Sequence, residues 1–160
     1  MVVDPAEQHG YLRYFYRNRR PTRIGRLWNS AYAWVSGLGL LSRQLVTLQV
    51  KSRHDDQMAN VILVAASYLG QRYLVSMLGN ESEWVKNVRV AGGSAFIKRR
   101  RTTPIMLSEI PPEERPPILK AWSEQANSGR KHLTVSHDAP VSDFVAIAND
   151  HPVFRIDPVH

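Results

Sequence analysis

Two apolar runs, NVILVAASY over residues 60–68 and RYLVSML over residues 72–78, are separated only by Leu69, Gly70 and Gln71. A connection that short cannot carry a crossover, so the two runs must pair as an antiparallel hairpin. The spacing of the neighbouring runs extends the argument. LVTLQV (45–50) is rich in β-branched residues and is joined to the first run by the polar stretch 51–59. Ser94–Ile97 and Thr103–Leu107 flank the basic tetrapeptide KRRR, and VFRI follows near the end of the chain. That makes five or six strands, clustered without the strand–helix–strand alternation of a parallel sheet.

Helical spacing falls around this cluster. Ile24, Leu27, Trp28, Ala31, Val35 and Leu38 repeat as one apolar face and predict an N-terminal amphipathic helix over 22–38. Asn80 or Ser82 can cap a short helix bearing Trp84, Val85 and Val88, which Gly92 and Gly93 stop. Pro111 and Pro112, followed by acids, suit the start of another helix, and DFVAIAND supplies one more short helix. Strands mid-chain and helices at the flanks predict an α+β domain built on a closed antiparallel barrel.

With 160 residues, 43% of them hydrophobic, the chain suffices for one domain with a core. We read residues 1–21 as an arm and 22–160 as a single domain. Its charge of +7 favours an anionic partner. The absence of cysteine removes disulfides, thiolate nucleophiles and cysteine-based metal centres, so any redox chemistry must come from a cofactor. The opening MVVDPAEQHG does not read as a secretory signal, and the longest apolar stretch, Ala31–Leu41, falls well short of the roughly 20 residues of a membrane span. The expectation is a cytoplasmic protein.

The arm YLRYFYRNRR interleaves stacking faces with cations. It is open to reading as a lid over a substrate, a contact with a membrane surface or an ordinary packed arm. No nucleic-acid fold signature accompanies it, which weighs against that partner. The six histidines lack metal-ligand spacing and no G-x-S-x-G elbow occurs, so neither a metal site nor a catalytic nucleophile is expected. No proton donor is singled out by the residues.

Three segments carry a resemblance: YLVSMLGNESEWVKNVRVAGG, KRRRTTPIMLSEIPPEERPPILKAW and the terminal HPVFRI. Across Leu45–Trp122 the chain resembles the deazaflavin-dependent nitroreductase family, whose members bind a deazaflavin or, in relatives, FMN on a split β-barrel. The resemblance implies an antiparallel split β-barrel of the FMN-binding type flanked by short helices. It also implies a reductase passing hydride from deazaflavin (coenzyme F-420), with FMN as second choice, to a quinone- or nitro-type acceptor, and a homodimer.

The family's cofactor loop, Gly-Arg-Lys-Ser-Gly, corresponds to Ser52-Arg53-His54-Asp55-Asp56, and its following proline to Ile62. Both glycines are replaced and two carboxylates stand where an anion would be cradled. The resemblance assigns cofactor contact to Lys51, Arg53, His54, Gln57, Ser76, Met77, Leu78, Trp84 and Asn87. The apolar stripe of the helix over 22–38 and the aromatics just ahead of it put Tyr16, Trp28 and Tyr32 on the side of a small hydrophobic or aromatic acceptor. The alternative is a barrel that binds a ligand or cofactor with its catalysis reduced or lost, because the loop is altered.

Overall fold

The computed structural model describes residues 44–126 and 132–160. The arm and the helix expected over 22–38, with Tyr16, Trp28 and Tyr32, lie outside the described residues.

Six strands close into one antiparallel barrel in the order β1-β2-β3-β6-β5-β4. They are β1 (Leu45–Lys51), β2 (Met58–Tyr68), β3 (Gln71–Val75), β4 (Ser94–Lys98), β5 (Thr102–Glu109) and β6 (Val153–Pro158). The expected hairpin is present, with Tyr68 opposite Gln71 and Ala65 opposite Leu74. Its turn carries Leu69 at φ +47 and Gly70 at φ +76. Closure of the sheet removes every free edge, which is how a small antiparallel barrel avoids edge-to-edge association.

Alternation along each strand sorts side chains into two cores. Partners directly across the ladder share a face: Leu48 with Val61 and with Ile97, Leu74 with Phe154, Ala95 with Ile105. These fill the barrel, and Leu48, Leu74 and Phe154 are at most 1% exposed. On the outer face Val64, Ala66, Tyr73, Val75 and Val153 form a second apolar layer. Helix α2 (Arg115–Gln125) covers it with Ile118, Leu119 and Trp122, joined by Phe144 and Ile147 of the 3-10 segment Val141–Ile147.

A buried guanidinium fastens that outer layer. Arg115 is 5% exposed, and its Nε and Nη1 donate to the carbonyls of Ile110 (2.7 Å) and Ala148 (2.8 Å). Its Nη2 reaches Glu109 at 3.3 Å, and Glu109 also takes a two-pronged contact from Arg89 at 3.0 and 2.6 Å. Burial pushes the Arg115 guanidinium down from its ordinary pKa while Glu109 opposes the shift.

Helix α1 (Glu83–Val90) lies between β3 and β4, so it sits at the same end of the barrel as the β1–β2 loop. Gly92 and Gly93 end it at φ +63 and +87. At Gly93 a Cβ would stand 2.3 Å from the Leu107 carbonyl oxygen, so only glycine allows the chain to enter β4 there. The β2–β3 turn, the β4–β5 turn and the end of β6 gather at the opposite end of the barrel. No helix among the described residues is long and apolar enough to cross a membrane.

One local expectation is corrected. Strand β3 stops at Val75, and Ser76, Met77 and Leu78 do not extend it. The Ser76 N–H donates to the Pro152 carbonyl at 2.9 Å, and its hydroxyl bonds Gly79 O at 2.7 Å, turning the chain toward α1. A side chain that satisfies backbone two or three residues away competes with the ladder, and here it prevails.

Candidate functional site

The β1–β2 loop is closed on itself. The Ser52 N–H donates to Gln57 O at 2.8 Å, the His54 N–H to Ser52 Oγ at 3.2 Å, and the Gln57 N–H to Asp55 Oδ1 at 3.2 Å. The Arg53 N–H donates to Asn87 Oδ1 at 3.2 Å. Backbone amides that a glycine loop would turn toward a phosphate are thus already engaged by protein acceptors. Asp56 takes the left-handed conformation, φ +58, which Asp tolerates better than most side chains.

Side chains tie this loop to α1. Nη1 of Arg53 lies 2.7 Å from Glu83 Oε2 and Nη2 lies 3.2 Å from Oε1, a two-pronged pair. Nη1 also donates to Asn87 Oδ1 at 3.2 Å, and His54 Nε2 lies 3.7 Å from Glu83. Glu83 and Asn87 are one helical turn apart and therefore meet the loop on one face. Lys51 contacts Asp56 at 2.9 Å, with both side chains largely in solvent. An exposed pair of this kind contributes about 0–1 kcal/mol and exchanges readily for another anion.

Asn87 is 1% exposed, and its Oδ1 serves both Arg53 donors while its Nδ2 has no hydrogen-bond partner. An unmade bond at a buried donor costs about 1–3 kcal/mol, so this amide is ready for an acceptor. Trp84, 4% exposed, packs a tilted ring on Phe154 at 5.5 Å between centroids. Ser76 is committed to the turn, where its Oγ lies 2.7 Å from Ser82 Oγ and its carbonyl 3.0 Å from His151 Nδ1. Ser82 holds the N-cap position without capping, because its hydroxyl is used there. Met77 packs against the outer core, Leu78 is half-buried and Gln57 is exposed.

The structure therefore brings Lys51, Arg53, His54 and Asn87 together at one end of the barrel. It sets Trp84 beneath them in the core and keeps Ser76 and Met77 in the turn and the outer layer. Glu83 was missed from the sequence, although its four-residue spacing from Asn87 on a helix was a usable signal. Phe154 was missed as the partner of Trp84, since nothing local connects residues that far apart.

No family model and no curated protein matches the sequence. Solved structures do resemble this one. A chain described as an F420-H2 dependent reductase (FDR-A) is similar at a TM-score of 0.51 and 18% identity, over 72% of this chain and 95% of that one. A chain described as a domain-swapped dimer is similar at 0.51 and 17%, over 85% and 100%. A protein of unknown function from Agrobacterium tumefaciens reaches 0.52 at 9%, over 71% of this chain and 47% of that one. At these identities the likeness establishes the fold: an antiparallel split β-barrel of the FMN-binding type with short helices.

Proposed function

We propose that this chain binds a flavin-like cofactor, deazaflavin first and FMN second, where the β1–β2 loop meets α1, and that it serves there as a reductase. The observation carrying the proposal is the cationic loop fixed to α1 through Arg53 and Asn87, with the Asn87 Nδ2 buried and awaiting an acceptor. Likeness to a reductase over nearly its whole length supports the same reading.

The donors fit an anionic tail through side chains, not through an amide cradle. Lys51 is an exposed cation, His54 an exposed imidazole, and Arg53 is already oriented by Glu83. Asn87 would accept from Arg53 and donate to the ligand. The cofactor, when bound, supplies the hydride for a conjugated acceptor of quinone or nitro type. Trp84, held by Phe154, keeps the helix seated so that Asn87 faces the loop. The neighbour described as a domain-swapped dimer supports a homodimer.

A second reading, binding without turnover, is favoured by the engaged amides of residues 52, 53, 54 and 57 and by Asp55 and Asp56 in the loop. Titrating the protein with reduced deazaflavin, FMN and haem in turn, by fluorescence or absorbance, and then adding a quinone separates the two. Deazaflavin binding followed by acceptor-dependent oxidation supports the reductase. Binding with no oxidation above the protein-free rate supports the second reading, and failure of all three ligands removes both.

A further inference from the structure

We propose that the barrel end opposite the cofactor site docks on the surface of an anionic lipid bilayer, through the β2–β3 and β4–β5 turns. The two turns are neighbours in space although they lie 30 residues apart, because closure sets the ends of β2, β4 and β6 around one mouth.

The β4–β5 turn presents Lys98, Arg99, Arg100 and Arg101, all exposed. No ion pair to Lys98, Arg100 or Arg101 occurs among the described residues. Burial lowers the pKa of Arg72, at the start of β3, and the charge of nearby Arg99 lowers it further, which sets the two turns within electrostatic reach of each other.

Charge alone would fit many partners, and the apolar residues at this end narrow the choice. Leu69 is 84% exposed at the tip of the β2–β3 turn, and Val159, just beyond β6, is 51% exposed. Leu69 is held at φ +47, a conformation that Asn or Gly adopts at lower cost. A large apolar side chain at an unfavourable φ, projecting into water at the same end as Lys98, Arg100 and Arg101, matches a bilayer interface, where headgroup phosphates meet cations and the acyl boundary receives leucine. Nucleic acid would have no use for Leu69. Nearby Asp157 is neutralised by Arg155 at 2.8 Å and does not oppose the approach.

The test uses the full chain and sedimentation with vesicles of phosphatidylcholine, with and without phosphatidylglycerol. The protein should bind only the vesicles containing phosphatidylglycerol, and added salt should weaken the binding. R100S and R101S should each lower partitioning about fivefold, and L69S about tenfold. All three should leave the thermal midpoint and the cofactor titration unchanged, because the residues are exposed and lie at the far end. Wild-type binding that survives in an L69S/R100S/R101S variant would place the contact elsewhere on the chain. Tighter binding to a DNA oligonucleotide than to vesicles, unaffected by L69S, would overturn the proposal in favour of nucleic acid.

Discussion

Arg53 and Asn87 meet twice: the backbone N–H and the Nη1 of Arg53 both donate to the same Asn87 Oδ1, each at 3.2 Å. One buried amide oxygen thereby fixes both the path of the β1–β2 loop and the direction of its arginine. Asn87→Ala removes the acceptor and leaves a partly buried backbone donor unpaired, at a cost of about 1–3 kcal/mol or less. Urea denaturation should show a lower midpoint with an unchanged slope. Asn87→Asp keeps the acceptor and adds a charge beside Arg53, so it should keep the loop docked yet weaken deazaflavin binding by removing the free donor and repelling the anionic tail.

Trp84 separates packing from ligand contact. Its indole is buried against Phe154, so Trp84→Ala opens a cavity and should cost about 3–5 kcal/mol. Trp84→Phe keeps most of the volume and should cost far less. If Trp84 acts on the cofactor only by seating α1, the Phe variant will bind deazaflavin within about twofold of wild type, and thermal melts will report whatever loss occurs. A large loss of affinity at unchanged stability would mean that the indole touches the ligand.

Acid stability carries a signature of Asp157. Its carboxylate accepts from Arg155 Nε at 2.8 Å and from Ser108 Oγ at 2.8 Å, and these bonds hold it below the ordinary carboxylate range, the Arg155 bond foremost. A group depressed in the folded state stabilises it fully above the unfolded value and ceases to do so as pH falls through the folded one. Asp157→Asn should therefore lower the urea midpoint slightly at neutral pH, since the pair is only partly buried and solvent screens it. The difference from wild type should close as the pH drops below the ordinary value of 3.8. A difference that persists in strong acid would assign the effect to packing.

The barrel was legible because its signals are local. Apolar runs marked the six strand positions, and Gly70 in a three-residue connection marked the hairpin of β2 and β3. Gly92 and Gly93 marked the end of α1 correctly, for the backbone reason that their positive φ angles express. Less legible was anything that depends on contacts across the chain. Ser76 leaves its strand because Pro152 and Gly79 receive its donors, and the outer layer is fastened where Arg115 reaches Ala148. Two carboxylates of the β1–β2 loop, Asp55 and Asp56, stand beside its cations. Lys51 does pair with Asp56, whereas Arg53 turns to Glu83, 30 residues away and on another element.

The β1–β2 loop offers a prediction whose stability and affinity effects have separate origins. Asp56 occupies a left-handed φ of +58 that glycine adopts without penalty, so Asp56→Gly should be close to neutral for folding. Strain relief of up to about 1 kcal/mol offsets the loss of an exposed ion pair of about 0–1 kcal/mol. Asp55→Ser removes a second charge while its hydroxyl can still accept the Gln57 N–H, which keeps the loop closed. The double variant releases Lys51 and deletes two negative charges, each opposing a nearby anion by roughly 1 kcal/mol in a wet loop. Deazaflavin affinity at low salt should rise about tenfold or more, and Arg53→Ala should move it the other way. Titration of both variants beside wild type, with urea midpoints measured on the same samples, makes the comparison. If the double variant folds as well as wild type and binds no tighter, the anion does not dock at this loop.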